Sequence, residues 1–212
     1  VASGVLTVAG EVSMTTLDIG GTNVTSTAAE LNKLDGVGTL KEAGKETIWV
    51  PATAMYPNTT AGCSALTQVE LSNGPELKCL DFDDGSDEFA QFTVAFPKSW
   101  NLGTVTFQAF WTSSATDTGT CSWALQGVGM NSGATTNATF GTAIAVADAA
   151  ENAANLLYVT SESNAVTIDG TPADDDLTFF QVSRDTSADN MEEDARLLGI
   201  KLFFTTDAAN DA

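Results

Sequence analysis

Two neighbouring stretches of the chain alternate between apolar and polar residues, and this period of two limits the fold more than any other feature. In the first, Phe92, Val94 and Phe96 oppose Gln91, Thr93 and Ala95. In the second, Val105, Phe107, Ala109 and Trp111 oppose Thr104, Thr106, Gln108 and Phe110. Successive side chains of a strand point to opposite faces, so each stretch offers one face to a core and the other to solvent. Less regular strand-like runs fall at 47–50, 77–82, 120–127, 156–159, 165–168, 177–183 and 197–205.

Short strands joined by Gly-, Asn-, Asp- and Ser-rich loops, with almost no helix, predict an all-β fold of two antiparallel sheets packed face to face. A jelly roll is the first choice. An immunoglobulin-like sandwich comes second, because the Cys…Trp…Cys spacing is missing. A length of 212 residues suits one such sandwich, predicted over 46–212, plus a short appendage. The Ala-rich stretch 148–155 reads equally as one helical turn or as a loop.

The appendage, 1–37, is Thr- and Gly-rich and carries apolar pairs at strand spacing: Leu6 and Val8, Val12 and Met14, Leu17 and Ile19. Gly20-Gly21 punctuates it. Thr27-Ala-Ala-Glu30 is a capping-box pattern, predicting a short helix with Leu31 and Leu34 on one face and a stop at Asp35-Gly36. A helix this short is marginal in water, and the segment has too few large side chains to build its own core. Other copies must supply the missing surface, and Leu17, Ile19, Val24, Leu31, Leu34 and Val37 are the candidate oligomerisation residues. Three copies about an axis would cover Leu31 and Leu34. Residues 38–45 read as a polar linker.

Charge narrows the partners. With 28 acidic against 8 basic residues, the formal net charge is −20, which repels a phosphate backbone and an anionic membrane alike. No nucleic acid or membrane partner is expected. No stretch approaches the length of a membrane span, and the first ten residues lack the basic start of a signal peptide.

Catalytic chemistry finds little to use. The chain has no histidine, which removes Ser-His-Asp and Cys-His schemes, and no carboxylate pair stands out for glycoside hydrolysis. Cys63, Cys79 and Cys121 form no CxxC pair and read as thiols packed as small hydrophobes, with one bridge among them as the other reading. The acidic run 81–88 reads as a strand-to-strand turn through Asp84-Gly85 in preference to a calcium loop, and Asp174-Asp175-Asp176 as a loop before a strand. Phe110 and Trp100 are candidates for stacking on sugar rings, with core or interface packing the plainer alternative for each. No cofactor, metal site or enzymatic activity is expected.

The run Thr27-Ala-Ala-Glu-Leu-Asn-Lys-Leu-Asp-Gly-Val37 resembles an element that recurs in phage fibre and virion-associated proteins. The body is similar to a widespread phage C-terminal β domain through Trp49-Val-Pro-Ala-Thr-Ala-Met-Tyr-Pro57, Phe96-Pro-Lys-Ser-Trp100, Phe179-Phe-Gln-Val-Ser-Arg-Asp185 and Leu198-Gly-Ile-Lys-Leu-Phe-Phe-Thr-Thr205. These resemblances imply a virion location and a homotrimer, and bring no catalytic residues with them. The expected function is a structural one, a trimeric head fibre or capsid decoration protein anchored to other virion proteins through 1–37, with the acidic β-domain projecting outward. The alternative is a tail-fibre or receptor-binding tip that recognises a host glycan. A jelly-roll carbohydrate-active enzyme and a prokaryotic cell-surface protein are the remaining readings.

Overall fold

The computed structural model describes residues 9–10, 16–32, 44–116, 118–173, 175–208 and 211. It divides into two units, Val1–Lys41 and Glu42–Ala212.

In the first unit, β1 (Leu17–Ile19) and β2 (Thr22–Val24) form an antiparallel hairpin in which Leu17 pairs with Val24 and Ile19 with Thr22. Its two turn residues, Gly20 and Gly21, have φ of 63° and 88°, the left-handed pair that suits the twist of a tight hairpin. The Gly21 N–H donates to Asp18 Oδ1 at 2.9 Å. Helix α1 (Ala28–Asn32) follows, and the expected capping box closes it. The Thr27 N–H donates to Glu30 Oε2 at 2.7 Å and the Glu30 N–H to Thr27 Oγ1 at 3.3 Å. These bonds hold the exposed Glu30 carboxyl below its usual range. The predicted stop at Asp35-Gly36 lies outside the described residues.

The second unit carries β3 (Lys45–Pro51), β4 (Tyr56–Pro57), β5 (Thr67–Val69), β6 (Leu77–Phe82), β7 (Glu88–Ala95), β8 (Thr106–Thr112) and β9 (Thr120–Met130). Then come β10 (Ile144–Ala149), β11 (Tyr158–Val159), β12 (Ile168–Asp169), β13 (Leu177–Arg184) and β14 (Ala195–Thr205). One sheet runs β10-β9-β13-β7-β4, and the other runs β11-β8-β14-β6-β5. The chain crosses between sheets from β6 through β9, and its last two long strands wedge between strands laid down earlier. Strand β13 enters between β7 and β9, and β14 between β6 and β8, which is the jelly-roll order. The all-β, antiparallel sandwich expected from the alternation is thus the fold observed.

Strand β3 lies beside the later half of β14, from Pro51 opposite Gly199 to Lys45 opposite Thr205, while β6 pairs with the earlier half at Ala195–Leu197. Two hydrogen bonds close the end of this ladder. The Gly44 N–H donates to Thr206 Oγ1 at 2.9 Å, and the Thr206 N–H to the Gly44 carbonyl at 2.7 Å. The sheet therefore engages the chain from Gly44, two residues before the predicted start of the domain at 46.

Between the sheets, Phe82, Phe92, Phe107, Trp111, Trp123 and Phe180 are fully buried. Phe92 stacks on Phe180 at 5.2 Å, and Trp111 stacks on Tyr158 at 4.4 Å. The Trp111 indole N–H is satisfied by Asp148 Oδ2 at 3.0 Å. Cys63, Cys79 and Cys121 are free and buried. Burial pushes the Cys63 thiol up to about 12 and Cys121 well above its ordinary value, so both stay protonated small hydrophobes. The stretch 150–155 is a loop, preceded by a strand at Ile144–Ala149 that the sequence reading did not include.

Candidate functional site

Of the candidate oligomerisation residues, Ile19, Val24 and Leu31 are not buried. Ile19 is 66% exposed and Leu31 42%, Val24 is half-buried, and Leu17 lies in β1. Leu34 and Val37 lie outside the described residues. Of the two candidate stacking aromatics, Trp100 is a core residue, 3% exposed and stacked on Phe96 at 4.2 Å. The turn formed by Pro97-Lys98-Ser99 tucks its ring inward, so the plainer alternative of core packing holds for it and the sugar-stacking role does not. Phe110 is half-buried on an outer sheet face.

That face is the most distinctive surface of the second unit. On the outer side of β3, β14 and β8, the register aligns Thr47, Phe203 and Thr106 in one row and Trp49, Lys201 and Gln108 in the next. Pro51, Gly199 and Phe110 make the third row. A break in register between Leu197 and Gly199 inserts Leu198 as a bulge, which resets the strand so that Lys201 and Phe203 face outward. Trp49 is 49% exposed and leans across Gly199, where a Cβ would come within 2.5 Å of the ring, to meet Phe110 edge-on at 5.0 Å. Lys201 Nζ and Lys45 Nζ each lie 5.0 Å from the centre of the Phe203 ring. Glu162 pairs with Lys45 and accepts from Thr106, contacts that hold its carboxyl below the usual range. Sequence reading missed this arrangement, because Trp49, Gln108 and Lys201 meet only once three distant strands are in register.

The outer face of the opposite sheet is chemically different. Gln91, Gln181 and Gln126 line up across β7, β13 and β9, with Tyr56 of β4 beside Gln91 and 47% exposed. Gln126 Nε2 donates to Gln181 Oε1 at 2.5 Å. No lysine or arginine stands on these strands' outward positions.

The acidic run forms the expected turn between β6 and β7. Carboxylates of Asp83, Asp84 and the distant Asp194 come within 4.8 Å of one another, all exposed. Crowding shows in the titration. Partial burial, then repulsion from Asp83, Asp81 and Asp84, raises the Asp194 carboxyl, and partial burial raises that of Glu88. In the second acidic loop, Asp176 is 6% exposed; Oδ2 accepts from the Ala173 N–H at 2.9 Å, and Oδ1 has no hydrogen-bond partner among the described residues.

Below the first acidic corner, Arg184 is fully buried at the end of β13 and uses every nitrogen. Nε and Nη2 clasp Asp189 at 2.8 and 3.0 Å, Nη1 donates to the carbonyls of Phe82 and Glu193, and Nη2 also donates to that of Met191. Burial works against the Asp189 carboxylate, but bonds from Arg184 and the N–H groups of Met191 and Ser122 outweigh it and hold the carboxyl below its usual range. The clamp organises the 185–194 connection and has no substrate-sized opening of its own. The depression against Glu70–Pro75, about 490 Å³, brings together only one ionisable group, Glu70. Among the described residues, no helix is long and apolar enough to cross a membrane.

No protein-family model matches the sequence, and no curated protein matches it. Solved structures with related outlines include a CBM36 domain of a multidomain xylanase from the hindgut metagenome of Trinervitermes trinervoides. It is 13% identical with a TM-score of 0.38, over 74% of this chain and 96% of that one. A family 11 carbohydrate-binding module from Clostridium thermocellum is 9% identical with a TM-score of 0.39, over 76% and 96%. A protein of unknown function from Shewanella oneidensis is 13% identical with a TM-score of 0.31, over 89% and 98%. Likeness at this level carries no argument about what this chain binds.

Proposed function

We propose that this chain is a non-catalytic structural protein of a bacteriophage particle, a trimeric head fibre or capsid decoration protein. Its N-terminal unit joins copies to one another and to other virion proteins, and its acidic jelly roll faces solvent. The observation that carries the reading is the state of the N-terminal unit. Hairpin and helix are correctly turned and capped, yet no residue of 18–32 is buried and Ile19 and Leu31 stand exposed. Such elements are stable only when other chains cover them. The resemblance of Thr27 to Val37 to a phage fibre element supplies the setting, and the absence of histidine supports the non-catalytic part.

The test is sedimentation of the whole chain, alongside a Leu31→Asp, Leu34→Asp variant, with mass spectrometry and electron microscopy of purified particles. The expected result is a trimer that the variant dissolves, and a particle-bound protein. A monomeric parent chain absent from particles overturns the proposal.

The exposed Trp49 and its row of polar neighbours favour a second reading, a tip module that recognises a host glycan. An exposed indole gives a sugar ring an apolar surface to stack on. Glycan-array binding lost in Trp49→Ala supports it, and a blank array with intact oligomers counts against it.

A further inference from the structure

The outer face of β3, β14 and β8 is not simply an apolar patch left over from packing. Its nine outward positions hold three aromatic rings, Trp49, Phe110 and Phe203, interleaved with Thr47, Thr106 and Gln108, and Lys201 stands at their centre. The nine include no acidic residue. Lys201 makes no ion pair among the described residues; its charge faces only the Phe203 ring. Lys45 reaches the same ring from the adjoining edge. Two ammonium groups thus converge on one aromatic, and of the two only Lys45 is paired with a carboxylate, that of Glu162. In a chain of net charge −20, with only 8 basic residues, this local excess of positive charge is unusual. It draws anions to a place where the rest of the surface repels them.

We propose that this face is a binding subsite for a carboxylated sugar, a uronic or sialic acid residue of a larger glycan. The apolar face of the pyranose lies on the Trp49 indole, and its carboxylate reaches Lys201. Gln108 is oriented for a sugar hydroxyl: its Nε2 donates to the Thr160 carbonyl at 2.8 Å, which directs the amide and leaves Oε1 as an acceptor. Trp49 is set by contact with Gly199 and Phe110, so little rotamer freedom is lost on binding. Two copies meeting through this face about a two-fold axis would bring Lys201 against Lys201. Like charges so placed oppose self-association, and an anionic ligand relieves them. The inference rests on the glycan reading above and is independent of the virion reading.

The test uses the full chain with tetragalacturonate and sialyllactose as probes, which separate the two sources of the carboxylate. The methyl ester of tetragalacturonate and neutral lactose are the uncharged controls. Binding is read by calorimetry and by tryptophan fluorescence, to which Trp49 is the exposed contributor, since Trp100, Trp111 and Trp123 are buried. We expect at least one acidic probe to bind in a salt-dependent way and to prefer the acid over its control by about tenfold, a difference of about 1.4 kcal/mol. Trp49→Ala abolishes binding, Lys201→Gln removes the preference for the acid, and Lys201→Arg restores part of it. Glu162→Gln, by freeing Lys45, tightens binding several-fold.

Unchanged thermal midpoints keep the variants interpretable, and Thr93→Ala on the opposite sheet is the neutral control. The proposal is overturned if neither acidic probe binds, if Trp49→Ala and Lys201→Gln bind as the parent does, or if a polyglutamate peptide displaces the sugar completely, which would make the ligand an acidic protein. Binding of neutral glycans alone would sink this inference and spare the glycan reading. No carbohydrate binding of any kind would sink both.

Discussion

The N-terminal unit and the jelly roll obey the same local rules and differ in what those rules secure. At 17–32, a tight turn, a two-strand ladder and a reciprocal helix cap are all formed, and no residue of 18–32 is buried. In the jelly roll, equally ordinary strands fully bury six tryptophan and phenylalanine side chains and a fully bonded arginine. Hydrogen bonds and turns choose a shape, whereas removal of apolar surface from water makes the shape persist. One part of the chain buries its large apolar side chains within itself, and the other leaves Ile19 and Leu31 exposed.

Arg184 tests that contrast most severely. Arg184→Ala leaves Asp189 charged and buried beside three unpaired carbonyls, and should cost about 3–5 kcal/mol of jelly-roll stability, seen as a large fall in denaturant midpoint. Should the body tolerate it without loss, internal satisfaction is not what holds the body together. The same clamp sets an acid limit. Asp189 binds its proton less tightly folded than unfolded, so its contribution is present above the unfolded carboxylate range and is lost as pH falls through the lower folded value. Thermal melts should show this loss in the parent, and Asp189→Asn should no longer show it.

Gly199→Ala comes next. The new Cβ would lie 2.5 Å from the Trp49 ring and 2.7 Å from the Val50 carbonyl, so an overpacking cost of about 1–3 kcal/mol is expected, together with altered Trp49 fluorescence. Thr27→Ala removes the cap of α1, worth about 1 kcal/mol to that helix. It should weaken association of the chain and leave the jelly-roll midpoint where it was. A lowered midpoint would break the comparison. Asp194→Asn is the smallest effect. Its carboxyl is raised when folded, so its presence costs stability as pH rises above the unfolded carboxylate range; removal should raise the midpoint slightly at neutral pH and leave it unchanged in acid, as thermal melts at the two pH values would show.

The two alternating stretches were legible because each has one face in the core: Val105, Phe107, Ala109 and Trp111 are all buried, as their spacing predicts. The strand Ile144–Ala149 escaped notice because Ala145, Ala147 and Ala149 on its outer side are as apolar as Ile144 and Val146 on the inner, which erases the period of two. Strands of two or three residues, such as Tyr56–Pro57, are too short to show any period. The core packing of Trp100 was the plainer of its two readings, and the surface alternative arose because Pro-Lys-Ser before it has the composition of an exposed turn. The Thr27–Glu30 cap was legible in full, being local. The grid around Lys201 was not, since it joins residues some 150 positions apart; its one trace in the sequence is a lone lysine within the apolar run 197–204.

The pairing of Gly44 with Thr206 also decides how the jelly roll bears load. Tension applied between these two points would open the β3–β14 ladder from its end, one rung after another, at low force. Tension that draws β3 lengthwise against β14 instead loads the seven paired positions of that ladder together, in shear. Load carried along β3 therefore meets the stiffer of the two directions, and load applied across the Gly44–Thr206 end meets the softer one.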